Sequence, residues 1–538
     1  MKGATIVKEI QIRNFRSLKD TGLQTLSPIT LLVGENSSGK STFLRAFPLL
    51  KQSISKRTSG PILWAGDVDD YVDFGSFEET VTNDGSETIV FRFRFDTNDV
   101  ETIRRRLLIE NLTSNETADL DGPLAIDYEI TIETFKGSGF VSKLRLAINT
   151  TTIEFDLLKD SLCLNEDFFY QCGSSKSKKG SSTRSSHESL GYIGAISKSF
   201  SFALPSIDEL IDELMDCLDF SDQNNYNRFL WSEVLAHIGE RLAKNCNLSK
   251  IDSDPDDASG TPKWYISDYN NLIQLLQSGE HDRLSQIIKL FYIYRAFPGI
   301  DDYIYAYFKQ VHYIAPLRAT AERYYRLRNL AVDEVDYQGK NLAIFINSLP
   351  PKQLREFQEW TNTHFGFTVK TGKSKGHLSL MINIHNSEKS FNLSDTGFGY
   401  SQVLPIITQL WELSSQKGSR SSKFHGANQR QPLVVAIEQP ELHLHPAVQA
   451  KLAKAFIACI KLARENGYEL QLILETHSQT IVDYLGRAIA KGILPHNDVS
   501  VILFEKQYDD NTTTVKNSSY DEDGYLKNWP YGFFEAEE

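Results

Sequence analysis

The sequence predicts an α/β fold, a helix-flanked sheet of buried parallel strands joined to a β-meander lobe and a helical insertion. Three observations carry that expectation. An apolar strand, Ile29–Val33, runs straight into Gly34-Glu35-Asn36-Ser37-Ser38-Gly39-Lys40-Ser41-Thr42, and a helix with Phe43, Leu44, Phe47 and Leu50 on one face follows. Two later apolar runs, Leu433–Ile437 and Leu470–Leu474, each end in a glutamate, the pattern of strands buried on both faces. Between the Gly34–Thr42 motif and these runs, Ile89–Phe95 alternates strictly, the first of several meander strands.

Bulk properties narrow the function classes. With 538 residues the chain has length for two to four domains, and 41% hydrophobic with 24% charged residues reads as globular. The N-terminus has no apolar h-region and no run approaches about 18 apolar residues, so secretion and membrane insertion are not expected. The five cysteines (Cys163, Cys172, Cys217, Cys246, Cys459) are scattered without a C-x-x-C pair, as reduced cytoplasmic thiols would be. A net charge of −13 argues against a protein coated in DNA, although it leaves room for a local basic groove.

The first strong motif is G-x-x-x-x-G-K-S at Gly34–Ser41. Gly34 and Gly39 let the backbone curl so that the N–H groups of Asn36, Ser37, Ser38 and Thr42 face a polyphosphate. Lys40 reaches the β- and γ-phosphates, and the Ser41 hydroxyl binds Mg²⁺. The helix dipole adds positive potential beneath the phosphates of bound ATP. An ordinary Gly/Ser turn is the competing reading, and the strand before and helix after count against it.

In chain order, Ile6, Ile10 and Ile12 alternate as a half-buried strand ending at Phe15, which is core or packs near an adenine. Residues 60–160 are β-rich, with Arg92 and Arg94 on a face expected to be solvated. Gly173–Ser182 is a basic low-complexity loop. Residues 206–310 switch to helical spacing, interrupted by an acidic stretch at Ser249–Pro262, and the aromatics around Phe291–Phe308 read as core. Strand returns at Val311–Arg318. Arg318, Arg323, Arg326 and Arg328 form the strongest cationic cluster, for which surface solvation is the commonest outcome. Helices then fill roughly 339–365 and strands 366–393. The expected division is 1–160, the N-terminal part with P-loop and β-lobe; 161–310, loop and helical insertion; and 311–538, the C-terminal part.

Three distal stretches complete a nucleotide site. Leu433–Ile437 delivers Glu438 at a strand end, where P-loop proteins hold the Mg²⁺ hydration shell. Leu470–Glu475 leads to His477, placed to sense phosphate or orient water. Phe391–Pro405 is a Gly-containing turn opening a helix, able to meet a phosphate.

The order of P-loop, long insertion, Ser/Gly helix start, acidic strand and His strand resembles the ABC-class ATPases of the SMC and OLD-like type, a likeness spanning nearly the whole chain. Tyr313–Arg318, Asp395–Gln402, Ile437–Pro446 and Asn528–Phe534 resemble ATPases of bacterial defence islands, especially the PtuA group of Septu-type antiphage systems. The resemblance implies a P-loop ABC-type ATPase head, ATP and Mg²⁺ as ligands, Ser41 and Glu438 on the metal, and His477 as switch histidine. It implies a signature in Ser394–Gln402 that meets ATP of a second protomer, through either Ser394 or Gly397/Gly399. It also implies a dimer or higher assembly of the chain with itself, an HNH-type nuclease partner (PtuB), a retron reverse transcriptase with its RNA–DNA product, and a role in antiphage defence. His443–Pro446 would lie at the dimer interface; zinc held by His443 and His445 is a poor alternative without further ligands. A glutamine serving as Q-loop would fall near Tyr71–Phe77.

One departure bears on mechanism. The class carries a glutamate after the Walker B acid, and this chain has Gln439, an amide that orients water but is no general base near pH 7. Slow hydrolysis and a long-lived ATP-bound dimer are therefore expected, with Glu441 or His477 able to compensate. The rivals are an OLD-like nuclease and an SMC-like DNA-repair clamp. Only about sixty residues follow His477, short for a separate nuclease domain, and Glu505 with Asp509 and Asp510 is a fragment of an acidic pattern. The absence of long coiled-coil arms and the net charge disfavour the clamp.

Overall fold

The computed structural model describes residues 6–530, apart from 98–123, 172–271, 417–429 and some shorter stretches. The basic loop at 173–182, the helical pattern at 207–218, the acidic stretch at 249–262, Arg328, Asp509, Asp510 and the Tyr531–Phe534 end of the terminal motif lie outside the described residues.

Strands β1 (Val7–Phe15), β2 (Leu18–Asp20), β3 (Gln24–Thr25) and β4 (Ile29–Gly34) lead into helix α1 (Lys40–Ser55) and the short α2 (Phe77–Thr80). The meander follows as β5 (Thr88–Thr97), β6 (Leu124–Phe135), β7 (Ser138–Ile148), β8 (Thr151–Asp156), β9 (Ser161–Leu164) and β10 (Asp167–Gln171). Helix α3 (Asp282–Lys309) precedes β11 (Val311–Ile314) and β12 (Tyr325–Arg326). Next come α4 (Leu342–Ser348), α5 (Pro351–Phe365), β13 (Phe367–Ser374), β14 (His377–Ile384), β15 (Phe391–Asn392) and α6 (Phe398–Ser415). The chain closes with β16 (Gln431–Glu438), α7 (Pro446–Glu465), β17 (Tyr468–Glu475), α8 (Gln479–Ala490), β18 (Val499–Lys506), β19 (Thr513–Tyr520) and β20 (Leu526–Lys527).

The central sheet has seven strands in the order β11-β16-β17-β4-β18-β19-β20. Its first five strands are parallel, and the last two return antiparallel. Alternation along β4 divides two cores: Leu32 faces one with Phe43, Phe47, Ile473 and Phe504, and Leu31 and Val33 face the other with Leu472, Leu474, Val403 and Phe456. Both faces are covered, which is why β4, β16 and β17 read as unbroken apolar runs.

The meander belongs to a nine-stranded antiparallel sheet running β10-β9-β8-β7-β6-β5-β1-β2, with β3 on β1. It continues to Gln171, past the boundary expected at residue 160. Phe15 is core, packed against Phe74 and Phe91 with ring centroids 5.0 and 5.9 Å away. Arg92 and Arg94 lie half-exposed on the face opposite buried Phe91, Phe93 and Phe95, and there both donate to Asp127 on the neighbouring strand, because the β5–β6 register sets them beside it. Helix α3 bridges the two sheets, Phe308 packing on Phe47 of α1 and on Phe93 of β5. The Tyr307 hydroxyl meets Gln471 Oε1 at 2.8 Å. A four-stranded antiparallel sheet of β12, β13, β14 and β15 lies in the second core with α4, α5 and α6.

Candidate nucleotide site

The P-loop forms as the motif requires. Gly34 ends β4 where an added Cβ would lie 2.2 Å from the Phe504 carbonyl oxygen, and Gly39 starts α1 at φ +91° with no room beside Ser17 and Leu18. Asn36 and Ser37 are exposed, Ser37 at φ +60°, while Ser38 is buried with no partner for its hydroxyl. Thr42 is half-buried on the first turn of α1. Lys40 is buried and donates to the carbonyl oxygens of Gly34, at 3.0 Å, and Glu35, so its ammonium is held at the loop's centre. Burial lowers its pKa, opposed by the carboxylates of Glu475, Glu35 and Glu441.

Sheet register brings the distal acids to this loop. Glu438 and Glu475 are paired partners on β16 and β17, and Glu475 is paired with Leu32 of β4. Strand β17 therefore stands between the P-loop strand and the Glu438 strand. The Ser41 hydroxyl donates to Glu475 Oε1 at 2.9 Å. Glu438 takes a different set of partners, Arg45 Nε at 2.6 Å and Nη2 at 2.8 Å, and the Tyr313 hydroxyl at 2.7 Å. Burial and the neighbouring Glu438 carboxylate push Glu475 up to about 7, and the Glu438 carboxylate holds Arg45 above the usual guanidinium range.

The turn after β16 carries the other polar residues. Gln439 adopts φ +41°, and its N–H donates to the Glu475 carbonyl at 2.9 Å. Arg318 is 6% exposed and donates through Nη2 to the carbonyl oxygens of Glu438 and Gln439, at 2.9 and 3.3 Å. Surface solvation, the expected role of this arginine, is thus wrong for Arg318, because the loop after β11 folds over the strand end. Burial lowers its pKa to about 10. Arg323 does stay exposed, paired with Asp395 at 2.7 Å.

His477 is exposed, and its backbone N–H donates to Glu441 Oε1 at 2.7 Å, joining the turns after β16 and β17. Burial and Lys40 lower the His477 pKa, and burial raises that of Glu441. The signature-like turn lies beside the same loop: a Cβ on Gly399 would be 3.8 Å from the His443 carbonyl oxygen, and Gly397, at φ +90°, faces open space. Ser394 is exposed and its hydroxyl meets Asn392 Oδ1 at 2.9 Å. His445 caps α7 through Nδ1, which accepts from the Ala447 N–H at 3.2 Å. No glutamine falls within Tyr71–Phe77; Tyr71 itself packs edge-on against Tyr313, which holds Glu438.

Sequence reasoning missed Glu475, Arg45 and Tyr313. Arg45 was findable, since it lies four residues after Ser41 and so on the same face of α1. Ser41, Glu438 and Glu475 offer oxygen donors, which suits Mg²⁺, and Glu475 Oε2 is buried without a partner. Among the described residues no three His, Cys, Asp or Glu side chains converge to hold a metal alone. Phosphate and water would therefore complete its shell. Also among the described residues, no helix is long and apolar enough to cross a membrane.

A family model described as an AAA ATPase domain matches residues 6–288 and 328–482. A second family, described as a protein of unknown function, matches residues 494–538. No curated protein matches the chain. Among solved structures, the SMC head bound to the C-winged helix domain of ScpA is similar over 96% of this chain and 98% of its own, at 12% identity and TM-score 0.31. The SMC head domain from Thermotoga maritima is similar over 95% of this chain and 98% of its own, at 10% identity and TM-score 0.33.

Proposed function

Because this chain is an ATPase that belongs to the AAA ATPase domain family, we propose that it dimerises around ATP, turns the nucleotide over slowly and in that long-lived dimer acts as a conformational clamp rather than a clamp on DNA. The P-loop amides and Lys40 bind the phosphates. Ser41 and the two strand-end acids would hold Mg²⁺, which when bound neutralises charge on the β- and γ-phosphates. One observation carries the slow rate: Gln439 stands at the strand end with its backbone tied to β17 and with an amide where a base would be needed. Glu441 is anchored to the His477 N–H, which fixes the His477 backbone and leaves its exposed imidazole to meet the phosphate.

The exposed Ser394 and Gly397 support a face that meets the ATP of a second copy, as the resemblance to ABC-class heads implies. The same resemblance extends the reading to antiphage defence, with the ATP-bound dimer restraining or releasing an HNH-type nuclease, alone or with a retron reverse transcriptase and its RNA–DNA product. The test is ATP turnover alongside mass measurement in solution, with and without Mg²⁺–ATP. A dimer that forms with ATP and decays over many minutes supports the reading. Turnover of many per second, unaffected by His477→Ala and Glu441→Ala, overturns it.

A further inference from the structure

We propose that the cavity at the edge of the central sheet, enclosed by the end of α1, β11 and α6, is a second ligand site that takes a neutral nucleobase. Binding there goes beyond the nucleotide reading of the P-loop and does not rest on it; only its coupling to ATP does.

The cavity has a volume of about 610 Å³, within the range of small-molecule sites. Strand β11 is the edge strand of its sheet, so side chains from both its faces, His312 and Tyr313, reach the cavity. Gln52 on the wall lies about 18 Å beyond Lys40 along α1, which keeps the cavity apart from the P-loop. Two buried polar side chains line it unpaired. Gln409 of α6 is 5% exposed and His312 is 7% exposed, and neither side chain has a hydrogen-bond partner among the described residues. Glu334 stays 4.0 Å from His312 Nδ1, beyond hydrogen-bond reach, and its side chain is 60% exposed. Burial and the ammonium of Lys51 push the His312 pKa down to about 3, so the imidazole is neutral. A neutral imidazole and a carboxamide each offer a donor and an acceptor, and buried groups of that kind call for a partner.

The rest of the lining sets the ligand class. Tyr71, Tyr313 and Tyr337 form an aromatic wall, Tyr313 stacked on Tyr337 at 6.1 Å and Tyr71 edge-on to both. The charges on the wall are already matched or lie in water. Asp70 pairs with Lys56 at 2.5 Å, Asp336 accepts the N–H groups of Gln338 and Asn341 at 2.9 and 2.7 Å, and Lys340 and Glu334 are exposed. An ion would thus meet no buried opposite charge, and an aliphatic ligand would leave Gln409 and His312 unpaired. A flat heterocycle with donors and acceptors on its edge satisfies both walls, and a nucleobase is such a group. Tyr313 links the cavity to the P-loop site, since its ring lines the one while its hydroxyl meets Glu438 Oε1 at 2.7 Å in the other. A base packed on that ring acts on the hydroxyl's hold on the strand-end acid.

Calorimetric titration of the full chain with adenosine, guanosine, cytidine and uridine tests this, because nucleosides lack the phosphates that the P-loop grips. At least one should bind. Gln409→Met and His312→Phe, which keep much of the side-chain volume, should each weaken that binding about tenfold, with ATP affinity and Tm near those of the unmodified chain. Single-stranded oligonucleotides of the preferred base separate the two sources: displacement of the nucleoside shows a base presented by a strand, and no displacement shows a free nucleoside. The bound nucleoside should shift ATP affinity about fivefold or more, and ATP should shift nucleoside affinity by the same factor. Tyr313→Phe, which keeps the ring, should abolish that shift and keep the nucleoside. Binding of no nucleoside, or binding unaltered in both Gln409→Met and His312→Phe, overturns the site. A bound nucleoside without any shift in ATP affinity overturns the coupling alone. A chain that binds a nucleoside but no ATP removes the P-loop reading and the coupling with it, and leaves the site standing.

Discussion

Arg45 meets Glu438 side-on, Nε at 2.6 Å from Oε1 and Nη2 at 2.8 Å from Oε2, and so ties the helix that follows the P-loop to the end of a strand almost four hundred residues away in sequence. The acid is buried, while the arginine side chain is 37% exposed. Arg45→Ala should cost about 2–4 kcal/mol, somewhat below the cost of breaking a fully buried pair, because water can partly replace the lost cation. Arg45→Lys should recover part of that, since it returns the charge but not the two-pronged geometry. Urea unfolding of the two variants checks this; equal stability of Arg45→Ala and the unmodified chain would show that the pair holds nothing together.

Gly34 should tolerate no side chain. A Cβ there would fall 2.2 Å from the Phe504 carbonyl oxygen and 2.9 Å from Ser38 Oγ. Phe504 cannot retreat, because β18 is paired with β4 at that position. Gly34→Ala should therefore destabilise the fold by about 1–3 kcal/mol and abolish ATP binding, whereas Ser38→Ala removes only an unpartnered hydroxyl and should leave stability near its starting value. Thermal unfolding with and without ATP separates the two.

Stability should also fall as pH rises toward neutrality, through Glu412 on α6. Burial, with Glu334 as a like-charged neighbour, pushes this carboxyl up to about 7, and its Oε2 has no partner. Tyr468, Gln416, Gln353, Ser348, Ser415 and Glu356 are polar groups around it. A carboxyl with a raised native pKa binds its proton more tightly folded than unfolded. Its effect is thus absent below about 4.5 and grows through pH 7, where the folded state must charge a buried group. A shift from 4.5 to about 7 corresponds to at most about 3 kcal/mol. Glu412→Gln should raise Tm at pH 8, leave it unchanged near pH 4, and flatten the slope between. An unaltered slope would show that another group titrates.

The extent to which the site was legible follows from how its parts reach one another. The P-loop and the acid-ended strands declared themselves locally, since their chemistry is compressed into a few consecutive residues: Gly34 to Ser41, Glu438 after an apolar run, His477 after another. Partnership was not legible. That Ser41 meets Glu475 rather than Glu438 depends on β17 being inserted between β16 and β4, a strand order with no signature in the residues themselves. Arg318 was misjudged for a related reason. An arginine in a basic cluster looks solvated until the loop carrying it folds over a strand end and its guanidinium caps two backbone carbonyls. The β-meander was readable from alternation alone, but its last two strands were not, because β9 and β10 are short and run into a polar, low-complexity stretch.

Gln439→Glu tests the slow clamp most directly. The residue lies beside Glu438 and Glu475 in the strand-end cluster, and its backbone position is fixed by the Glu475 carbonyl and by Arg318, so the substitution changes the side-chain end without moving the chain. A carboxylate added among two buried acids would have its pKa raised by like charge and by burial, which brings a glutamate toward the range useful for a base at neutral pH. General-base assistance is worth about 10²- to 10⁴-fold in rate, and the lower end is expected here because Arg318 nearby opposes the rise in pKa. The variant should hydrolyse ATP about a hundredfold faster, with ATP affinity little changed, and its ATP-induced dimer should dissociate correspondingly sooner. Both readouts must move together if nucleotide hydrolysis releases the clamp. A faster rate with an unaltered dimer lifetime would uncouple the two and leave ATP binding alone in control of assembly. An unaltered rate would show that Gln439 does not limit hydrolysis.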